Sequence, residues 1–154
     1  MNKPTVYPSQ IKDVSFGINV NIVEPLNIYG CSIGDNTFIG PFVEIQKNAT
    51  IGANCKIQSH SFICELVTIG DYVVVAHGVM FINDLFTNGG PANGNKSFWK
   101  STNIGNNVSI GSNCTILPVN ICNNVVVGAG SVVTKDITES GVYIGNPAKK
   151  TREI

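Results

Sequence analysis

The stretch Ile33–Phe81 reads IGDNTFIGPFVEIQKNATIGANCKIQSHSFICELVTIGDYVVVAHGVMF. Stepping by six from Ile33 lands on Ile39, Ile45, Ile51, Ile57, Ile63, Ile69, Val75 and Phe81, every one β-branched or aromatic. An amphipathic helix repeats near 3.6 residues and a two-sided strand at 2, so this period fits neither. It fits a chain wound into a prism, in which each unit is a short strand followed by a tight corner. Outward from this stretch the series resumes at Ile104, Ile110 and Ile116, then slips by one to Ile121, Val127 and Val133. Upstream, a matching slip joins Phe16, Ile22 and Ile28 to Ile33. All 18 of these anchors are Ile, Val or Phe, types that supply only 44 of the 154 residues, so chance does not explain the series.

The rest of each unit is patterned too. The fourth residue after the anchor is small or β-branched: Thr37, Val43, Ala49, Cys55, Ser61, Val67, Val73, Val79, Val108, Cys114, Val125 and Ser131. Each unit is therefore expected to point two side chains inward. Glycine directly follows eight anchors, Gly34, Gly52 and Gly111 among them, and asparagine recurs three places after the anchor at Asn36, Asn48, Asn54, Asn107, Asn113 and Asn124. Both types tolerate the positive φ that a sharp corner demands, so both are expected to serve there.

Three units make one coil, and the anchors sort into six triplets running from Phe16/Ile22/Ile28 to Ile121/Val127/Val133. Both five-residue steps, and the long excursion after Phe81, fall between a third anchor and the next first anchor. Every irregularity thus lies at one vertex, since a slip elsewhere would break the ladders between turns. The expected structure is a single all-β domain over 1–154, a parallel β-helix of about six coils. It carries one loop insertion at 82–103 and a C-terminal tail at 138–154. Ile33, Ile51, Ile69 and Ile104 should stack in one column.

Composition narrows the function. Ten basic residues balance ten acidic ones, which argues against a nucleic-acid partner. The longest apolar runs, such as Tyr72–Ala76, are too short to cross a bilayer, and residues 1–10 do not read as a signal peptide. Five scattered cysteines without a Cys-x-x-Cys pattern read as reduced core fillers in a cytoplasmic protein.

The repeat resembles the hexapeptide-repeat acyltransferases over roughly residues 16–148. Within them the segment IQSHSFICELVTIGDYVVVAHGVMFIND, Ile57–Asp84, is similar to bacterial nucleotide-linked 3-amino-sugar N-acetyltransferases, with HGVMFIND the most specific string. Gly145-Asn146-Pro147-Ala148-Lys149 resembles the family's closing turn. The resemblance implies left-handed winding, acetyl-CoA as co-substrate without a metal, a nucleotide-sugar acceptor, and a homotrimer with active sites between subunits. Many relatives carry a Pro-Arg pair soon after the Asn-Asp, where this chain has Leu85-Phe86-Thr87-Asn88-Gly89-Gly90.

Candidate site residues cluster around the irregular part. The 82–103 excursion holds the only tryptophan, Trp99, with Phe86 and Phe98, a set suited to packing on a base or a neighbouring subunit. The two histidines, His60 and His77, fall at the second corner of adjacent coils. A neutral imidazole suits removal of a proton from an attacking amine, and a corner histidine can equally be a backbone-bonded turn residue. Asn83 and Glu65 each follow an anchor by two and lie 18 apart, so they stack where the loop leaves. A carboxylate and a carboxamide there can grip sugar hydroxyls and an amine, and the resemblance also places Asn83 at the sugar. Asp84 adjoins them as a sugar ligand or a turn residue. His77 and Asn83 are the catalytic candidates; His60, Glu65, Asp84 and Trp99 are the substrate-binding ones. For coenzyme A, the late-coil backbone at Gly111 and Ala129, and Lys135, Lys149 and Lys150 near the end of the prism, are the candidates.

Three other functions compete. A zinc hydratase on this architecture would need three histidine ligands, and the chain has two. O-acetylation of a sugar or another small hydroxyl acceptor would use the same residues. A non-catalytic scaffold subunit is the alternative outside enzymes.

Overall fold

The computed structural model describes residues 3–87, 89–90 and 95–154. Its strands are mostly two or three residues long and form three parallel sheets, the faces of a prism. The first face carries the column Phe16, Ile33, Ile51, Ile69, Ile104 and Ile121. On the second face Ile22, Ile39, Ile57, Val75, Ile110 and Val127 stack in register. The third face runs from Ile11 through Ile28, Ile45 and Ile63, and continues from Phe81 through Ile116 to Val133.

Sixteen of the 18 anchors are buried, and all twelve fourth-position residues are buried with them. The two exceptions, Phe16 at 42% exposure and the half-buried Ile22, lie on the end strands of the first and second faces, with no strand beneath them. Each buried aliphatic side chain contributes roughly 1.5–3 kcal/mol against exposure, so the column is what holds the winding. The hydroxyls of Thr37 and Ser61 are buried but donate to the carbonyls of Gly52 and Ala76, each 2.9 Å away.

The solenoid makes about seven turns, close to the six expected. Ile11–Lys12 adds a strand before the first anchor, and Ile137 bridges Ile121 beyond the last. Both additions also use short steps at the edge between third and first faces, in line with the single vertex of irregularity. The 138–154 tail is ordered: Gly141–Ile144 extends the second face in parallel beside Val125–Val127, and Lys149–Arg152 folds back antiparallel on it. The turn between them is tied to the third face, with the Ala148 N–H donating to the Val132 carbonyl.

The corners correct one expectation. The six asparagines named above, and Asn19 three places after Phe16, adopt positive φ, between 55° and 62°. The glycines after the anchors do not; they are there because successive coils touch. A Cβ on Gly52 would meet the Gly70 carbonyl oxygen at 2.5 Å. Ordinary φ with no room for a side chain is the reason for glycine at these places, not conformational freedom.

Candidate functional site

The excursion begins at Ile82, where the third face hands over to the first. Its two ends are clasped: Asp84 and Trp99 form an antiparallel bridge, and the Lys100 N–H donates to the Asn83 carbonyl at 2.8 Å. The Asp84 carboxylate accepts from the Phe86 N–H at 2.8 Å, so Asp84 shapes the turn. Asn95 caps a single 3-10 turn, Lys96–Phe98, which presents Lys96 and leads into Trp99.

Between this loop and the outer side of the third face lies a cavity of about 470 Å³. Gln46, Phe62, Met80, Asn83, Phe86 and Trp99 line it, with Asp84 and Cys64 also in the wall. Strand alternation explains the lining: Phe62 and Met80 each precede an inward anchor and so face out. Burial pushes the Cys64 thiol up to about 12, so it is a neutral wall group at physiological pH.

Glu65 and Asn83 stack as their spacing requires, and the Asn83 side-chain amide donates to the Glu65 carbonyl at 3.2 Å. The Glu65 side chain is 9% exposed, and both its oxygens accept from Lys96 Nζ, at 2.7 and 3.0 Å. Lys47 Nζ stands 3.9 Å from the same carboxylate. The hydrogen bond to Glu65 raises the Lys96 pKa above the ordinary lysine value. Lys96 also sits 5.1 Å from the Trp99 ring centroid, a cation–π distance. Sequence reasoning missed Lys96 and Lys47, because a loop-to-coil ion pair has no period to betray it; Gln46 was missed for lack of any distinguishing motif.

The histidines occupy the edge between second and third faces, as expected, but they do not pair with each other. His77 Nδ1 lies 2.9 Å from Ser59 Oγ in the coil below, while the exposed His60 stacks on Phe42 with ring centroids 4.8 Å apart. His77 and Asn83 flank the strand Met80–Phe81 and therefore mark opposite edges of the third face. The structure gathers Glu65, Asn83, Asp84 and Trp99 at one edge, and His60, His77, Gly111 and Ala129 at the other. Gly111 packs on Ala129 directly. Of the three lysines, Lys135 and Lys149 are exposed, and Lys150 is engaged by Glu139 at 3.3 Å and Glu153 at 2.8 Å. Among the described residues no helix is long and apolar enough to cross a membrane.

Comparison with known proteins agrees with the repeat. Residues 30–65 match the family described as bacterial transferase hexapeptide (six repeats), and residues 102–135 match the hexapeptide repeat of succinyl-transferase. These two matches place hexapeptide repeats in both halves of the chain. It is 38% identical to the galactoside O-acetyltransferase of Escherichia coli over 134 residues, 80% of this chain and 64% of that one. It is 28% identical to the bifunctional protein GlmU of a Synechococcus strain over 157 residues, 94% of this chain and 34% of that one. The chain thus spans between a third and two thirds of these relatives' length. Among solved structures, a mutant of AntD, an N-acyltransferase from Bacillus cereus in complex with dTDP and coenzyme A, superposes with TM-score 0.79 at 25% identity. That match covers 90% of this chain and 82% of AntD.

Proposed function

We infer that the chain is an acetyl-CoA-dependent N-acetyltransferase whose acceptor is the amino group of a nucleotide-linked 3-amino deoxy sugar, with dTDP or UDP as the nucleotide. The observation that carries this reading is the buried Glu65, whose backbone carbonyl accepts from the side chain of Asn83, a residue that lines the aromatic-walled cavity. A carboxylate there suits an amine, Asn83 suits sugar hydroxyls, and Trp99 and Phe86 suit a flat base. Likeness to AntD supports the nucleotide and the acyl donor.

Acetyl-CoA supplies a thioester whose carbonyl carbon the amine attacks; the C–S bond breaks as the amide forms. The chain's part is to bind and orient the acceptor and to relieve the amine of its proton. His77 is our candidate for that last task, with the departing thiolate as the other acceptor. We place coenzyme A along the edge of Gly111 and Ala129, with Lys149 and Lys135 toward its phosphates. Because that edge and Asn83 lie across a face from one another, the reading includes a homotrimer in which a neighbour's edge meets the cavity. We place the protein in the cytoplasm, where its free cysteines stay reduced, and assign it to cell-surface polysaccharide synthesis.

The 38% identity to a galactoside O-acetyltransferase favours one second reading, transfer to a sugar hydroxyl. The deciding assay follows free-thiol release from acetyl-CoA across nucleotide-linked 3-amino and 4-amino sugars and their hydroxyl counterparts. Transfer confined to hydroxyl acceptors would replace the first reading with the second. No heat of binding with millimolar acetyl-CoA would point to a scaffold subunit.

A further inference from the structure

Glu65 already holds an ammonium ion, and it belongs to the loop. Lys96 Nζ bridges both carboxylate oxygens at 3.0 and 2.7 Å while the rest of its side chain stays half-exposed. That ammonium occupies the place where, in the function proposed above, the acceptor's amine would bind. It also sits on the segment whose bridged residues, Asp84 and Trp99, line the cavity. A buried carboxylate stripped of its partner is strongly disfavoured, so any ligand that moves Lys96 must replace the positive charge it removes. The displaced lysine in turn needs an anion.

The geometry points to Lys96 as a resident stand-in for the acceptor, exchanged for it on binding. The acceptor's ammonium takes over the Glu65 carboxylate, and the released Lys96 pairs with a phosphate of the same ligand. The ligand class this selects carries an ammonium and a phosphate on one molecule, which rests on the nucleotide-linked amino-sugar reading and sharpens it. A neutral hydroxyl sugar on the same nucleotide offers Lys96 an anion but leaves Glu65 bare. Lys47, 3.9 Å from the carboxylate and half-exposed, stays as a fixed neighbour and tempers that penalty.

The test is the ratio of dissociation constants for a nucleotide-linked hydroxyl sugar and its 3-amino counterpart, measured by calorimetry on the full chain. The unaltered protein is expected to prefer the amine by at least about tenfold. Glu65→Gln should collapse the ratio to about one. Lys96→Met should widen it several-fold further, because the amine then relieves a carboxylate that nothing else satisfies as closely. Lys96→Arg, which keeps the pair, should stay within about twofold of the unaltered protein. A pair that merely braces the loop would weaken both ligands alike, and a ratio unmoved in both Glu65→Gln and Lys96→Met overturns the exchange. Failure of either sugar to bind the unaltered protein removes the ligand class, and the exchange goes with it. Melting curves for each variant confirm that the ratio is read on folded protein.

Discussion

Gly111 lies directly against Ala129 in the next coil: a Cβ on the glycine would come within 2.5 Å of the Ala129 nitrogen and 2.8 Å of its Cα. The obstacle is backbone, which cannot swing aside. Gly111→Ala should therefore destabilise the fold by about 1–3 kcal/mol, the usual cost of overpacking. Gly52→Ala should behave likewise. Gly130→Asn is the control, since that corner has φ +70° and open space, and asparagine occupies the equivalent corner at Asn113. Thermal unfolding of the three variants checks this, and equal melting points for Gly111→Ala and Gly130→Asn would refute it.

Ser59 and His77 give a mechanistic prediction. With Nδ1 held by the serine hydroxyl, the other ring nitrogen is left to meet substrate. We expect His77→Ala to lower kcat/KM for the amino sugar at least ~10-fold with the fold intact, within the usual range for a general base. Unchanged rates would take the imidazole out of the reaction and leave the thiolate as the proton acceptor.

Asp136 sets an acid limit on stability. Its carboxylate accepts from the Asn120 backbone N–H at 2.8 Å and from the Asn120 side chain at 3.1 Å, which holds its pKa below the ordinary 3.8. A depressed carboxyl pKa contributes stability that is full above the unfolded value and fades as pH falls through the folded one. Melting temperature should thus drop more steeply below pH 3.8 in the unaltered protein than in Asp136→Asn; parallel curves would show the carboxylate to be idle.

The thiols should sort by burial. Burial pushes Cys31 to about 11 and Cys64 to about 12, and raises Cys55 and Cys114 as well. Only Cys122 is half-buried, so it alone should label quickly with a thiol reagent in the native protein at neutral pH. Mass spectrometry of the labelled peptides identifies the site, and fast modification of Cys64 would mean the cavity wall opens.

Trimming the excursion tests how far it belongs to the core. None of Lys96, Ser97 and Phe98 is buried, so a shortened loop should leave the circular dichroism spectrum intact while raising KM for the sugar several-fold. A loss of strand signal would make the loop a structural element.

How much of this was written in the residues depends on whether it repeats. The columns, the inward pairs, the Glu65–Asn83 stack and the vertex of irregularity all follow from counting in sixes, because stacked coils make spacing equivalent to position. The ends were harder to read. Ile11 and Ile137 sit beyond shortened steps, and six places after Ile137 the second-face anchor position is held by Tyr143, not by Ile, Val or Phe. The role of the glycines was misjudged because a tight corner and a tight contact ask for the same residue. Lys96 was invisible because its partner lies 31 residues back along the chain, reached through an aperiodic segment.

The confinement of every length change to one edge has a practical side. The other two edges are locked by coil-to-coil contacts, whereas this one has already absorbed shortened steps and a 22-residue detour. It is a seam into which foreign segments can be spliced, one storey at a time, with the neighbouring storeys undisturbed. A lineage, or an engineer, can rewrite what the molecule selects along that line while the columns behind it keep their register.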